Sequence, residues 1–146
     1  MLIGISAQLP ADLLHGLASM GHGDDLVIAD ANFPAARLAR RLVQTTAEST
    51  TRLAMAVLTL LPLDEFVPAP LTLMQGERAQ DSDAPALTDL TAALASFGKV
   101  EQLERNTFYD RAASAFAIVA TADARPYANI ILRKGVIAVG SPHYVA

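Results

Sequence analysis

The residues of this chain that could do chemistry gather at two turns. Gly21-His22-Gly23-Asp24 precedes the apolar run Leu26-Val27-Ile28-Ala29, and Asp30-Ala31-Asn32-Phe33-Pro34 follows it. An imidazole gives and takes a proton near neutral pH, and carboxylate, guanidinium, phenol and carboxamide groups make directional hydrogen bonds to a polyhydroxylated ligand. The set suits proton transfer on a small sugar-like molecule. A buried strand advances about 3.3 Å per residue, so His22 and Asp30 fall near opposite ends of one strand. They reach one ligand only if the chain turns back or a second subunit supplies one of them.

Other chemistries lack their machinery. The sequence holds no G-x-G-x-x-G, P-loop, G-x-S-x-G or H-E-x-x-H pattern, which speaks against dinucleotide, NTP, acyl-transfer and zinc-protease sites. With no cysteine there is no disulfide framework, thiolate metal site or thiol nucleophile. His15, His22 and His143 are isolated from one another and show no metal-ligand spacing. His15 and His143 are assigned to the surface, and no metal is expected.

The elements that must position these groups alternate helix and strand. Pro10 suits the start of a helix carrying Leu13, Leu17 and Met20, capped by Gly21 just before His22. After the strand at 26–29, Pro34 opens a short helix to about Leu42, and Thr50 to Leu61 forms a helix stopped by Pro62. Leu71 to Met74 is a strand, Gln75 to Pro85 a loop and the most mobile stretch, and Leu87, Leu90, Leu94 and Phe97 a helical stripe ending at Gly98. Thr107-Phe108-Tyr109-Asp110 has the form of a helix start. Phe116 to Thr121 and Ala128 to Leu132 are two buried strands, and the second leaves Tyr127 and Asn129 on one face. The fold class expected is α/β: a single compact domain of short, largely parallel central strands flanked by helices.

Composition bounds the partners. The chain of 146 residues is 52% hydrophobic and 18% charged, with a mean hydropathy of +0.32. No stretch reaches the 18 or so uninterrupted apolar residues of a membrane span, so the excess apolar surface is expected to pack against copies of the same chain. A net charge of -4 gives no footprint for a phosphate backbone. Arg37, Arg40 and Arg41 read as a solvated helix face. No export signal is visible, and a cytoplasmic home is expected.

Taken together, Gly21-His22-Gly23-Asp24, Asp30 to Pro34, Leu63-Asp64, Arg105, Phe108 to Ala112, Ala115 to Val119, Tyr127 to Leu132 and Lys134 to Val136 resemble the L-fucose mutarotase and D-ribose pyranase (RbsD/FucU) family. The resemblance runs from Leu2 to about Val136. The first blocks look like the fucose branch, whereas Tyr127-Ala128-Asn129, where the fucose branch has Tyr-Gly-Asn, looks more like the ribose branch. It implies a cofactor-independent isomerase that opens and recloses a monosaccharide ring, with L-fucose as substrate and D-ribose as the alternative; a non-catalytic sugar-binding module is the other reading. His22 and Tyr109 would be catalytic. Asp30, Asp64, Arg105, Tyr127 and Asn129 would bind sugar. The resemblance also implies a ring-shaped homo-oligomer, a decamer of two stacked pentamers, with sites at subunit boundaries. Residues 137–146 extend beyond the usual end of the family.

On the residues alone, each has a plainer role. His22 could be a solvated turn residue, Asp30 a helix cap, Arg105 a surface ion-pair partner, Tyr109 and Phe108 core, and Tyr127 and Asn129 an ordinary turn.

Overall fold

The computed structural model describes residues 2–144, and the backbone alone of Ala79. The last two residues of the expected extension therefore lie outside the described residues. In chain order the elements are α1 (Ala11–Ser19), β1 (Asp25–Ala29), α2 (Ala35–Leu38), β2 (Leu42–Gln44), α3 (Thr50–Leu58), β3 (Leu71–Met74), a 3-10 turn (Ala79–Asp81), α4 (Pro85–Leu94), β4 (Val100–Leu103), α5 (Arg105–Ser114), β5 (Ala117–Ala120) and β6 (Ile130–Arg133).

The strands form one six-stranded sheet in the order β2-β5-β1-β6-β3-β4. Pairing is parallel for β2 with β5, β5 with β1 and β3 with β4, but β6 runs antiparallel to both β1 and β3. The sheet is therefore mixed, and the expectation of largely parallel central strands is corrected at its centre. Short residues 121–129 bring β6 back beside β1 without a crossover helix, which a parallel neighbour would need.

Both faces of the sheet are covered, which explains the unbroken apolar run of β1. Leu26 and Ile28 face a core built with Leu13 and Leu17 of α1, Leu53 and Val57 of α3, and Leu87, Leu90 and Leu94 of α4. Val27 and Ala29 face the smaller core of Phe33, Ala35, Phe108 and Ala112, supplied by α2, α5 and the turn before α2. The fully buried Phe108 ring contributes about 1.5–3 kcal/mol by leaving water.

Several local expectations change. Helix α1 ends at Ser19 with Met20 as its C-cap, so Gly21 stands outside the cap. Helix α2 stops at Leu38, and β2 follows where the helix was expected to continue. Helix α3 stops at Leu58, with Leu60 and Leu61 in a closing turn on the Val57 carbonyl. Phe97 lies past the end of α4 and is exposed. Helix α5 begins at Arg105: Glu104, ahead of Thr107, accepts from the backbone N–H groups of Asn106 and Thr107. A carboxylate there satisfies two free helical donors and faces the positive end of the helix dipole.

Candidate active site

The turn carrying His22 is clamped rather than loose. The Gly21 N–H donates to Asp24 Oδ2 at 2.7 Å, the Gly23 N–H to the Lys134 carbonyl at 2.8 Å, and the Lys134 N–H to the Asp24 carbonyl at 2.9 Å. Gly23 has φ 82°, which explains a glycine after the histidine. Across from it, Asp64 follows the bridge between Leu63 and Lys134. Gly135 makes that crossing possible, because a Cβ there would collide with the Leu63 carbonyl.

His22 Nε2 meets Asp64 Oδ1 at 3.1 Å, and the Phe66 ring packs edge-on to the imidazole at 5.6 Å. The Asp64 carboxylate also accepts the Phe66 N–H at 3.0 Å. That hydrogen bond, with the one to His22, holds the Asp64 pKa below the ordinary carboxylate value despite burial. An ionised carboxylate only accepts, so a neutral His22 carries its proton on Nε2 and leaves Nδ1 as the lone-pair nitrogen, an assignment made from the partners.

Behind this pair runs a line of alternating charges that sequence reasoning missed. Arg133 Nε lies 3.5 Å from Asp64 Oδ2, within reach of charge attraction but without a hydrogen bond, and Arg133 Nη1 lies 3.9 Å from Asp25. Arg111 clasps Asp25 with two hydrogen bonds and reaches Glu101 and Thr72 with Nη1. Only the β1–β6 register, which sets Asp25 opposite Arg133, reveals this line.

The other expected residues collect at the far end of β1. Asp30 is buried and takes the Asn129 carboxamide in a two-way pair: the Asp30 N–H donates to Asn129 Oδ1 at 3.0 Å, and Asn129 Nδ2 donates to Asp30 Oδ2 at 2.7 Å. Asp30 also accepts the Asn32 N–H at 2.9 Å, in a turn rather than a helix cap. Burial raises its pKa against the pull of these hydrogen bonds. Tyr109, on α5, sets its ring edge-on to Phe33 at 5.2 Å, and its hydroxyl has no hydrogen-bond partner among the described residues. Arg105 pairs with Glu77 at 2.9 Å. Tyr127 stands before β6 with φ 64°, so strand alternation does not orient it, and its hydroxyl donates to Asp81.

The expected site residues thus fall into two groups: His22 with Asp64 at one end of β1, and Asp30, Asn129, Tyr109, Arg105 and Tyr127 toward the other. The chain does not turn back to join them. His15 and His143 are exposed, as expected. Among the described residues no cluster of three metal-ligating side chains occurs, and no helix is long and apolar enough to cross a membrane.

An α/β protein with an imidazole–carboxylate pair and a separate cluster of hydroxyl-reading groups has the makings of an acid–base site for a polar small molecule. The chain belongs to the RbsD / FucU transport protein family, whose model matches residues 3–137. It is 40% identical over 147 residues to a fucose mutarotase of Homo sapiens, covering 94% of this chain and 96% of that protein. It is 41% identical over 143 residues to an L-fucose mutarotase of Glaesserella parasuis, covering 95% and 98%. The fold is similar, with a TM-score of 0.86 and 35% identity over 94% of this chain and 100% of the other, to the crystal structure of the fucose mutarotase from Streptococcus pneumoniae in complex with L-fucose.

Proposed function

We propose that this chain is a monosaccharide mutarotase that interconverts the anomers of L-fucose without a cofactor. The observation that carries the reading is the His22–Asp64 pair, an imidazole oriented by a buried carboxylate in a chain about 40% identical to fucose mutarotases. Nδ1 of His22 takes the proton of the anomeric hydroxyl while an acid, Tyr109, protonates the ring oxygen. The C1–O5 bond breaks to give the aldehyde, rotation about C1–C2 presents the other face, and the reverse proton transfers close the opposite anomer. Asp64 holds the ring, while Asp30, Arg105, Tyr127 and Asn129 hold the sugar. A positioned acid and base contribute about 10²–10⁴-fold, enough for a reaction that already proceeds in water.

A protomer alone cannot bring its two half-sites to one monosaccharide, because all of Leu26 to Ala29 lies buried between them. We therefore place the working site at a subunit boundary in a ring-shaped homo-oligomer, a decamer of two pentamers. Exposed Leu2, Ile3, Phe66, Val136, Ile137 and Val139 supply apolar surface for such contacts, the last two from the extension at 137–146. The cysteine-free chain is assigned to the cytoplasm.

The test is magnetisation transfer between anomeric proton signals of L-fucose, D-galactose and D-ribose with trace protein. Acceleration greatest for L-fucose supports the reading, and greatest for D-ribose makes the chain a pyranase. Binding without acceleration makes it a sugar-binding module and overturns the enzyme.

A further inference from the structure

Tyr127 is the one non-glycine residue with positive φ among the described residues, at 64°. A bulky side chain persists in that region only where its surroundings over-determine it. Here the surroundings are specific. The phenolic hydroxyl donates to Asp81 Oδ2 at 2.8 Å, and the Glu77 N–H approaches the phenolic oxygen at 3.4 Å. Asp81 is itself buried and immobilised by Arg78, which donates to Oδ2 from its backbone N–H at 3.1 Å and from Nε at 2.9 Å, and to Oδ1 from Nη2 at 3.0 Å. The loop expected to be the most mobile stretch is thus tied to the element that carries Tyr127.

The consequence lies in the direction of a hydrogen bond. A free phenol donates or accepts as its ligand requires. With its only proton committed to a carboxylate, the Tyr127 oxygen has nothing left to donate and retains a lone pair. We infer that Asp81 is a positioning residue for sugar specificity: it takes the Tyr127 proton and so presents to the bound sugar an oxygen that only accepts, selecting a hydroxyl that donates. The inference rests on the sugar-binding part of the mutarotase reading, in which Tyr127 touches the sugar. The Arg78 hydrogen bond holds Asp81 ionised, with a pKa lowered to about 2, so the commitment persists at neutral pH.

The experiment uses L-fucose and its analogues in which one hydroxyl at a time is replaced by fluorine, which never donates. Equilibrium binding by ligand-observed NMR and anomer exchange are both measured on the full chain. The wild type binds one positional fluoro analogue roughly tenfold more weakly than L-fucose, the worth of one hydrogen bond. Asp81→Asn keeps a carbonyl acceptor for the phenol and retains that ratio. Asp81→Ala frees the phenolic proton to donate and narrows the ratio at least threefold or so, and Tyr127→Phe removes the discrimination.

An unchanged ratio in folded Asp81→Ala overturns the inference, as does a wild type that discriminates at no position. A second readout needs no Asp81→Ala protein: the Asp81 charge helps keep the phenol protonated, so Tyr127 ionises at lower pH in Asp81→Asn, read as the tyrosinate absorbance lost in Tyr127→Phe. No movement there also overturns it. A wild type with the expected binding ratio but no accelerated exchange defeats the mutarotase reading and leaves the inference standing, since the ratio is measured at equilibrium.

Discussion

His22 Nε2 lies 3.1 Å from Asp64 Oδ1, and the two side chains differ in setting: the imidazole is 46% exposed and the carboxylate 3%. The exposed partner can meet a ligand, while the buried one fixes which nitrogen does so. Asp64→Asn keeps the shape but lets the amide donate, which admits the wrong tautomer and removes the charge that steadies an imidazolium. In this variant kcat should fall about 10–100-fold with little change in KM and an unchanged circular dichroism spectrum. Saturation kinetics of anomer exchange check this.

Asn129 satisfies the buried Asp30 carboxylate from one side and its backbone N–H from the other. Asn129→Ala leaves both without that partner and costs about 1–3 kcal/mol of unfolding free energy at neutral pH. Burial raises the Asp30 pKa, so the protonated form contributes stability that is full below the unfolded-state pKa and lost as pH rises through the raised value. The cost of Asn129→Ala should therefore shrink toward acid, where the carboxyl is already neutral. Urea unfolding at a series of pH values measures both effects.

Asp81 has the opposite sign. Its pKa is lowered from 3.8 to about 2, so it contributes stability that is present above the ordinary value and lost as pH falls through the lowered one. Asp64, also lowered, acts in the same sense. Denaturant midpoints should fall in that window for the wild type, and Asp81→Asn should flatten the decline.

The proposed site at a subunit boundary makes a prediction about mixtures. His22→Ala and Asp30→Ala are each inactive alone, but unfolded together in equal amounts and reassembled they regain roughly a quarter of wild-type activity, the share of random protomer pairs that carry an intact half-site from each side. A mixture as inactive as its components would place each site within one protomer.

Glu104 caps α5 and thereby fixes the start of the helix that carries Arg105 and Tyr109. Glu104→Ala should lower the thermal unfolding midpoint, and by more than Thr107→Ala, although Thr107 has the sequence form of a cap.

What could be read from the sequence followed burial. The run Leu26–Ala29, the stripes Leu13/Leu17 and Leu87/Leu90/Leu94, and the strands at 71–74 and 117–120 carry strong apolar patterns, and the structure forms them. Strands β2 and β4 escaped because they lie at the sheet edges, where Leu42 and Gln44 are exposed and Val100 to Leu103 are only partly covered or exposed. Reversal of β6 left no mark on its Ile130-Ile131-Leu132 run, since a strand buried on both faces reads the same in either direction. Among the candidate site residues, motif blocks pointed to His22, Asp30 and Asn129, and the distance along β1 already required that the chain turn back or a second subunit supply one of them. Their partners were not legible. Asp81 and Arg133 join Tyr127 and Asp64 across 46 and 69 positions of chain, pairings that only the folded register creates.

In the proposed mechanism His22 moves the proton in sugar ring opening. Exchange between the anomeric signals of L-fucose, measured for wild type and His22→Ala at equal protein concentration and matched oligomeric state, tests it most directly. Rapid wild-type exchange should return to the rate in buffer with His22→Ala, while sugar binding is retained within a few-fold. Wild-type exchange persisting in His22→Ala would contradict it.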